Sequence, residues 1–147
     1  MRLFFLLFSL SGCTPILEAS SIAKDELRVV RVVSVYDGDT LRVDLACYQP
    51  LFCSNMPIRI RGIDTPEIRG KCEREKQQAR QARDALKGLI EQASKEGREV
   101  VLGSPERGKY FRLIADIKID GLSIGPALIK KGLARPYEGG TRSDWCI

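Results

Sequence analysis

Histidine is missing altogether from the 147 residues, and its absence removes several chemistries at once. There is no Ser-His-Asp triad, no Cys-His nucleophile pair, no imidazole base near neutrality and no His-ligated zinc. The five cysteines contain no CxxC spacing, which argues against a tetrathiolate zinc site. No internal repeat or low-complexity linker divides the chain, and its length suits one domain with an ordinary core. Carboxylates, Lys, Tyr, Cys and a bound metal remain available for chemistry. Charge is unbalanced, with 24 Lys+Arg against 19 Asp+Glu for a formal +5, and polyanions are the natural partners of such a surface.

The first residues have the architecture of an export signal: Met1-Arg2, the apolar run Leu3 to Leu10, then Ser11-Gly12-Cys13. The run is too short to span a membrane. Leu10 to Cys13 resembles a bacterial lipobox, in which cleavage precedes the cysteine and its thiol is lipidated, so Cys13 is the lipidation candidate. A cut after Ser21-Ile22-Ala23, giving a soluble periplasmic or secreted protein, is the second reading. This divides the chain into a signal peptide with lipobox (1–13), a linker (14–24) and a folded domain (25–147). Four cysteines then remain, an even count that favours disulfides in an exported protein. Cys47 and Cys53 flank a short insertion and are paired with each other, which leaves Cys72 for Cys146; free structural thiols are the alternative.

Alternation of apolar and polar residues predicts strands. Leu27, Val29, Val33 and Val35 mark a first, apolar enough to be largely buried. Asp37-Gly38 is a hairpin-turn dipeptide leading to a second strand with Leu41, Val43 and Leu45. A third carries Ile58 and Ile60 on one face, Arg59 and Arg61 on the other, and stops at Pro66. From Glu73 to about Ser94 the period becomes helical, with Ala79, Ala82, Leu86, Leu89, Ile90 and Ala93 in one stripe. The basic residues Arg74, Lys76, Arg80, Arg83 and Lys87 alternate with acids and glutamines, as on a solvated face. A short strand over 99–103 and a long one over 110–119 follow, the latter with Phe111, Leu113, Ala115, Ile117 and Ile119 on its apolar face. Gly125-Pro126 suits the start of a short helix and Gly132 its cap. Three strands, a helix, two strands and a terminal helix is the order of an OB-fold: an α+β, mainly β, five-stranded Greek-key barrel with a helix between strands three and four.

Two short acidic segments carry the chemistry: Tyr36-Asp37-Gly38-Asp39-Thr40, and Arg59-Ile60-Arg61-Gly62-Ile63-Asp64-Thr65-Pro66-Glu67. Together they supply hard oxygen ligands, a candidate general base and an arginine. Metal-assisted attack on a phosphodiester needs these, because charge grows on phosphoryl oxygens and has to be neutralised. Each piece has a plainer reading alone. Asp-Gly is a common turn dipeptide, Asp64 or Thr65 would suit a helix-entry cap, and a lone strand arginine is usually solvated.

Four pieces in order, Asp37 to Thr40, Arg59 to Glu67, Lys109-Tyr110-Phe111-Arg112 and Lys131-Gly132-Leu133-Ala134, resemble the thermonuclease, or staphylococcal-nuclease-like, family of calcium-dependent nucleases. The likeness runs from about Val29 to Ala134. It implies Asp39 and Asp64 as carboxylate ligands of Ca²⁺, with the Thr65 carbonyl as a further ligand. Glu67 would orient or deprotonate the attacking water, and Arg59 and Arg112 would bind phosphate. Lys109 and Tyr110 would contact substrate, and Asp37 would act behind the ligands or merely in the turn. DNA and RNA are the implied substrates of an exported or membrane-tethered, monomeric hydrolase. The chain departs from the family in having Phe111 where a glycine is common, a short loop after Glu67 that carries Cys72, and an insertion from Cys47 to Met56. It also ends soon after Tyr137. Two other classes stay open: an OB module that binds nucleic acid or protein without cutting, and a structural envelope lipoprotein.

Overall fold

Residues 25–147 are described by the computed structural model. The expected signal peptide, Cys13 and the linker over 14–24 lie outside the described residues. The elements in chain order are β1 (Glu26–Val35), β2 (Thr40–Leu45), α1 (Pro50–Cys53), β3 (Met56–Ile60), β4 (Ile63–Asp64), α2 (Glu73–Lys95), β5 (Val100–Arg107), β6 (Leu113–Ile119), β7 (Leu122–Ser123), α3 (Gly125–Lys130) and β8 (Arg135–Pro136).

The period-2 pattern of β2 and β3 is realised as inward aliphatics: Leu41, Val43 and Ile58 are fully enclosed and Ile60 nearly so. β1 pairs antiparallel with both β2 and β5, β2 with β3, and β5 with β6. A parallel pairing of β3 with β6, setting Ile58 beside Leu113 and Ile60 beside Ala115, closes five strands into a barrel. Closure removes the sheet edges that would otherwise seek another chain. This is the expected OB-type barrel, with α2 between its third and fourth barrel strands and α3 near the end.

α2 begins where the Cys72 Sγ accepts from Glu75 N, with Glu73 and Glu75 complementing the positive end of its dipole. Its Leu86, Ile90 and Ala93 join the barrel aliphatics and Leu128 of α3 in one core. Each such Leu or Ile, fully buried, contributes about 1.5–3 kcal/mol.

Three expectations are corrected. β1 is only half-buried, with Val30 at 66% and Val33 at 40% exposure, because irregularities between Val29 and Arg31 and between Val32 and Ser34 shift its alternation. The strand expected over 110–119 starts at Leu113. Tyr110 and Phe111 have φ of 56° and 61° and form a tight turn, so Phe111 leaves the apolar face and is exposed. The strand expected over 99–103 runs on to Arg107.

Candidate metal and phosphate site

The β1–β2 turn is drawn tight by Tyr36 and Asp37 backbone amides, which both donate to the Thr40 carbonyl. It is also pressed inward. A Cβ at Gly38 would stand 2.6 Å from Ala82 Cβ and 2.9 Å from Thr65 Cγ2, so only glycine lets the turn lie against α2 and the Thr65 side chain. Asp39 is thereby wholly buried. Its Oδ1 accepts from Thr40 Oγ1 at 2.9 Å and Arg59 Nη1 at 2.8 Å, and its Oδ2 from Thr65 N at 3.3 Å. Asp37 plays the turn role, its Oδ1 accepting from Asp39 N at 3.2 Å. Burial, and then the neighbouring Asp39 charge, push the Asp37 carboxyl up to about 6.

The end of β3 supplies the second half. Arg59 lies on the face opposite Ile58 and Ile60, as alternation requires, and its Nη2 approaches Asp64 Oδ1 at 3.9 Å and the Ile63 carbonyl at 3.4 Å. Asp64 and Thr65 are completely buried, and Thr65 Oγ1 has no hydrogen-bond partner among the described residues. Glu67 is half exposed, and its amide donates to Glu75 Oε1 at 3.4 Å.

Arg112 lies one residue ahead of β6. The register sets Ile114 beside Arg59, so Arg112, two residues earlier, shares the outward parity of Arg59. Its Nε is buried without a hydrogen-bond partner among the described residues. Lys109 and Tyr110 stand at the exposed turn, Tyr110 almost fully in solvent, and no hydrogen bond joins them to the buried carboxylates.

The C-terminal segment, unassigned from the sequence, completes the site. β8 pairs with β4, setting Arg135 opposite Asp64, and Tyr137 N donates to the Gly62 carbonyl at 2.9 Å. The Arg59 guanidinium lies over the Tyr137 ring, 5.9 Å from its centroid. Arg142 donates from Nε to Asp64 Oδ1 at 2.6 Å and from Nη2 to the Thr65 carbonyl at 3.0 Å, and its Nη1 pairs with Glu67. Trp145 Nε1 donates to Asp64 Oδ2 at 3.1 Å. Cys72 is bonded to Cys146 and Cys47 to Cys53. The one sequence signal for Arg142 and Trp145 was their closeness to Cys146, whose bond ties the tail to the start of α2.

The donors gathered here are of one kind: two buried carboxylates, a carbonyl and a half-exposed carboxylate, all hard oxygens suited to a divalent cation such as Ca²⁺ or Mg²⁺. They fit such an ion in chemistry, while their spacing is set by guanidinium groups. Arg59 stands between Asp39 and Asp64, and Arg142 between Asp64 and Glu67. Among the described residues, the closest group of acids and cysteines is Cys72, Glu75 and Cys146, but its sulfurs are spent on each other. An open cleft of about 360 Å³ is lined by Glu67, Glu75, Arg142 and Trp145 among others, and a second of about 460 Å³ by Arg59, Ile114, Asp116 and Tyr137 among others.

Comparison with known proteins bears on this constellation. Residues 57–144 match the family described as Staphylococcal nuclease homologue. The matched span includes Arg59, Asp64, Thr65, Glu67, Arg112 and Arg142, and leaves Asp37 and Asp39 just outside it. No curated protein matches the chain. A match over more than half of the sequence, on a closed barrel whose third strand ends in these acids, settles the family: the chain belongs to the staphylococcal nuclease homologues.

Proposed function

We propose that the protein is a Ca²⁺-dependent nuclease that hydrolyses phosphodiester bonds of DNA and RNA with little sequence preference. The observation that carries this reading is the convergence of Asp39, Asp64 and the Thr65 backbone with Arg59 at the end of β3, together with that of Asp64, the Thr65 carbonyl and Glu67 on Arg142. Asp39, Asp64 and the Thr65 carbonyl would hold the ion, which when bound supplies Lewis-acid polarisation of a phosphoryl oxygen. Glu67 reaches solvent, with 47% of its side chain exposed, and orients a water or takes its proton. Arg59 and Arg112 hold phosphoryl oxygens with a charge that no working pH removes. Attack leaves a 3′-phosphate on one product. Activity rises toward alkaline pH, since no histidine titrates near neutrality and the attacking water has to lose a proton. Cys13 anchors the exported, monomeric protein to the membrane.

One observation favours a second reading, an OB module that binds without cutting: Arg142 already neutralises Asp64 and Glu67. A gel assay on long DNA separates the two. The nuclease reading expects cleavage with Ca²⁺ and none with EGTA, with losses of about 10²–10³-fold in Arg112→Ala and about 10²–10⁴-fold in Glu67→Ser. Intact DNA under all conditions, or full activity in both variants, refutes it. Radiolabelled palmitate retained by Cys13→Ser refutes the anchor.

A further inference from the structure

We propose that Arg142 is a resident cation of the carboxylate cage, one that a metal ion has to displace, and that the Cys72–Cys146 bond keeps it within reach. This rests on the reading of Asp64, Thr65 and Glu67 as the metal's neighbours.

All three guanidinium nitrogens of Arg142 are turned to oxygens of that cage: Nε to Asp64, Nη2 to the Thr65 carbonyl, Nη1 to Glu67. Its whole fork is spent on oxygens a metal would take. A divalent ion placed on Asp64 and the Thr65 carbonyl would meet the guanidinium within contact distance, so the two occupancies exclude each other electrostatically.

The arginine is also built to leave. Its side chain is 35% exposed, and its neighbours Thr141, Ser143 and Asp144 are all exposed. Beyond them the tail is pinned again, by Trp145 against Asp64 Oδ2 and by Cys146 bonded to Cys72. Those anchors hold Arg142 at high local concentration without fixing its side chain, which is what an intramolecular competitor requires. Arg59 differs in exposure and in its contacts: its side chain is 16% exposed against 35% for Arg142, and it donates closely to one carboxylate, Asp39 at 2.8 Å, with Asp64 at 3.9 Å.

The test is calorimetric titration of Ca²⁺ into the oxidised full chain, Arg142→Gln and the Cys72→Ser/Cys146→Ser double variant, with emission of Trp145, the one tryptophan, recorded in parallel. Removing the competitor should tighten Ca²⁺ binding about tenfold, in the range of ordinary site-to-site coupling. Cutting the latch should tighten it less, and in the unsubstituted protein Trp145 emission should change in step with Ca²⁺. A role for Arg142 in merely organising the carboxylates predicts the opposite sign. Equal or weaker Ca²⁺ binding by Arg142→Gln therefore overturns the proposal. If that occurs while the unsubstituted protein cleaves DNA with Ca²⁺, the nuclease reading stands alone; if no form binds Ca²⁺, both fall. Should circular dichroism show Arg142→Gln unfolded, Arg142→Met decides: it keeps the length of the side chain and removes the charge, so tighter binding supports the proposal and unchanged or weaker binding overturns it.

Discussion

Two disulfides in the same molecule do different work. Cys47–Cys53 spans six residues of sequence and closes a loop whose Tyr48, Leu51 and Phe52 all project into solvent. Cys72–Cys146 spans 74 and fastens a tail whose Trp145 and Arg142 both bind Asp64. A crosslink stabilises by the freedom it removes from the unfolded chain, and it serves function only through what it holds. The first bond closes little and holds only its own half-buried Cys53 against the core, whereas the second closes most of the domain and holds part of the candidate site.

The comparison can be broken by cutting each bond. By chain-entropy arithmetic the Cys72→Ser/Cys146→Ser variant should lose about 4.5 kcal/mol of stability, measured by urea unfolding under oxidising conditions. The Cys47→Ser/Cys53→Ser variant should lose about 2.4 kcal/mol on the same scale. Equal losses would mean that loop length is not what separates the bonds. Trp145→Phe keeps the ring buried and removes the donor to Asp64, so it should cost about 1–3 kcal/mol through a poorly satisfied buried carboxylate. At the other loop, Phe52→Ser should change stability by no more than about 0.5 kcal/mol; a larger loss would show that this loop packs on something.

The barrel was legible because alternation in β2, β3 and β6 is strict and each strand has one dry face: Leu41, Ile58 and Ile117 are all enclosed. It failed where local geometry interrupts the period. The bulges of β1 turn Val30 and Val33 outward, and the left-handed Tyr110 and Phe111 delay β6. A motif of residue types does not reveal either event. The acids and Arg59 were legible because they cluster in short segments with the right chemistry. Arg142 was not, since it meets Asp64 from 78 residues away and nothing in Gly-Gly-Thr-Arg-Ser-Asp marks it. Glu75 was missed for another reason. It sits in a charged helix turn that reads as solvated, yet it is buried, accepting backbone amides from Glu67 and Lys71.

The parallel seam between β3 and β6 has a consequence in time. It joins residues 58–60 to 113–115, so it forms only after α2 and β5 have been laid down between them, and pairings of such long range nucleate slowly. Asp39 and Arg59 can meet in the early β2–β3 hairpin, but Arg112 joins Arg59's face only when the seam zips. An incomplete or still-threading chain therefore owns acids and one arginine without the second. On the proposed function, the grip on a phosphate arrives last, as a property of the finished barrel and of no fragment of it.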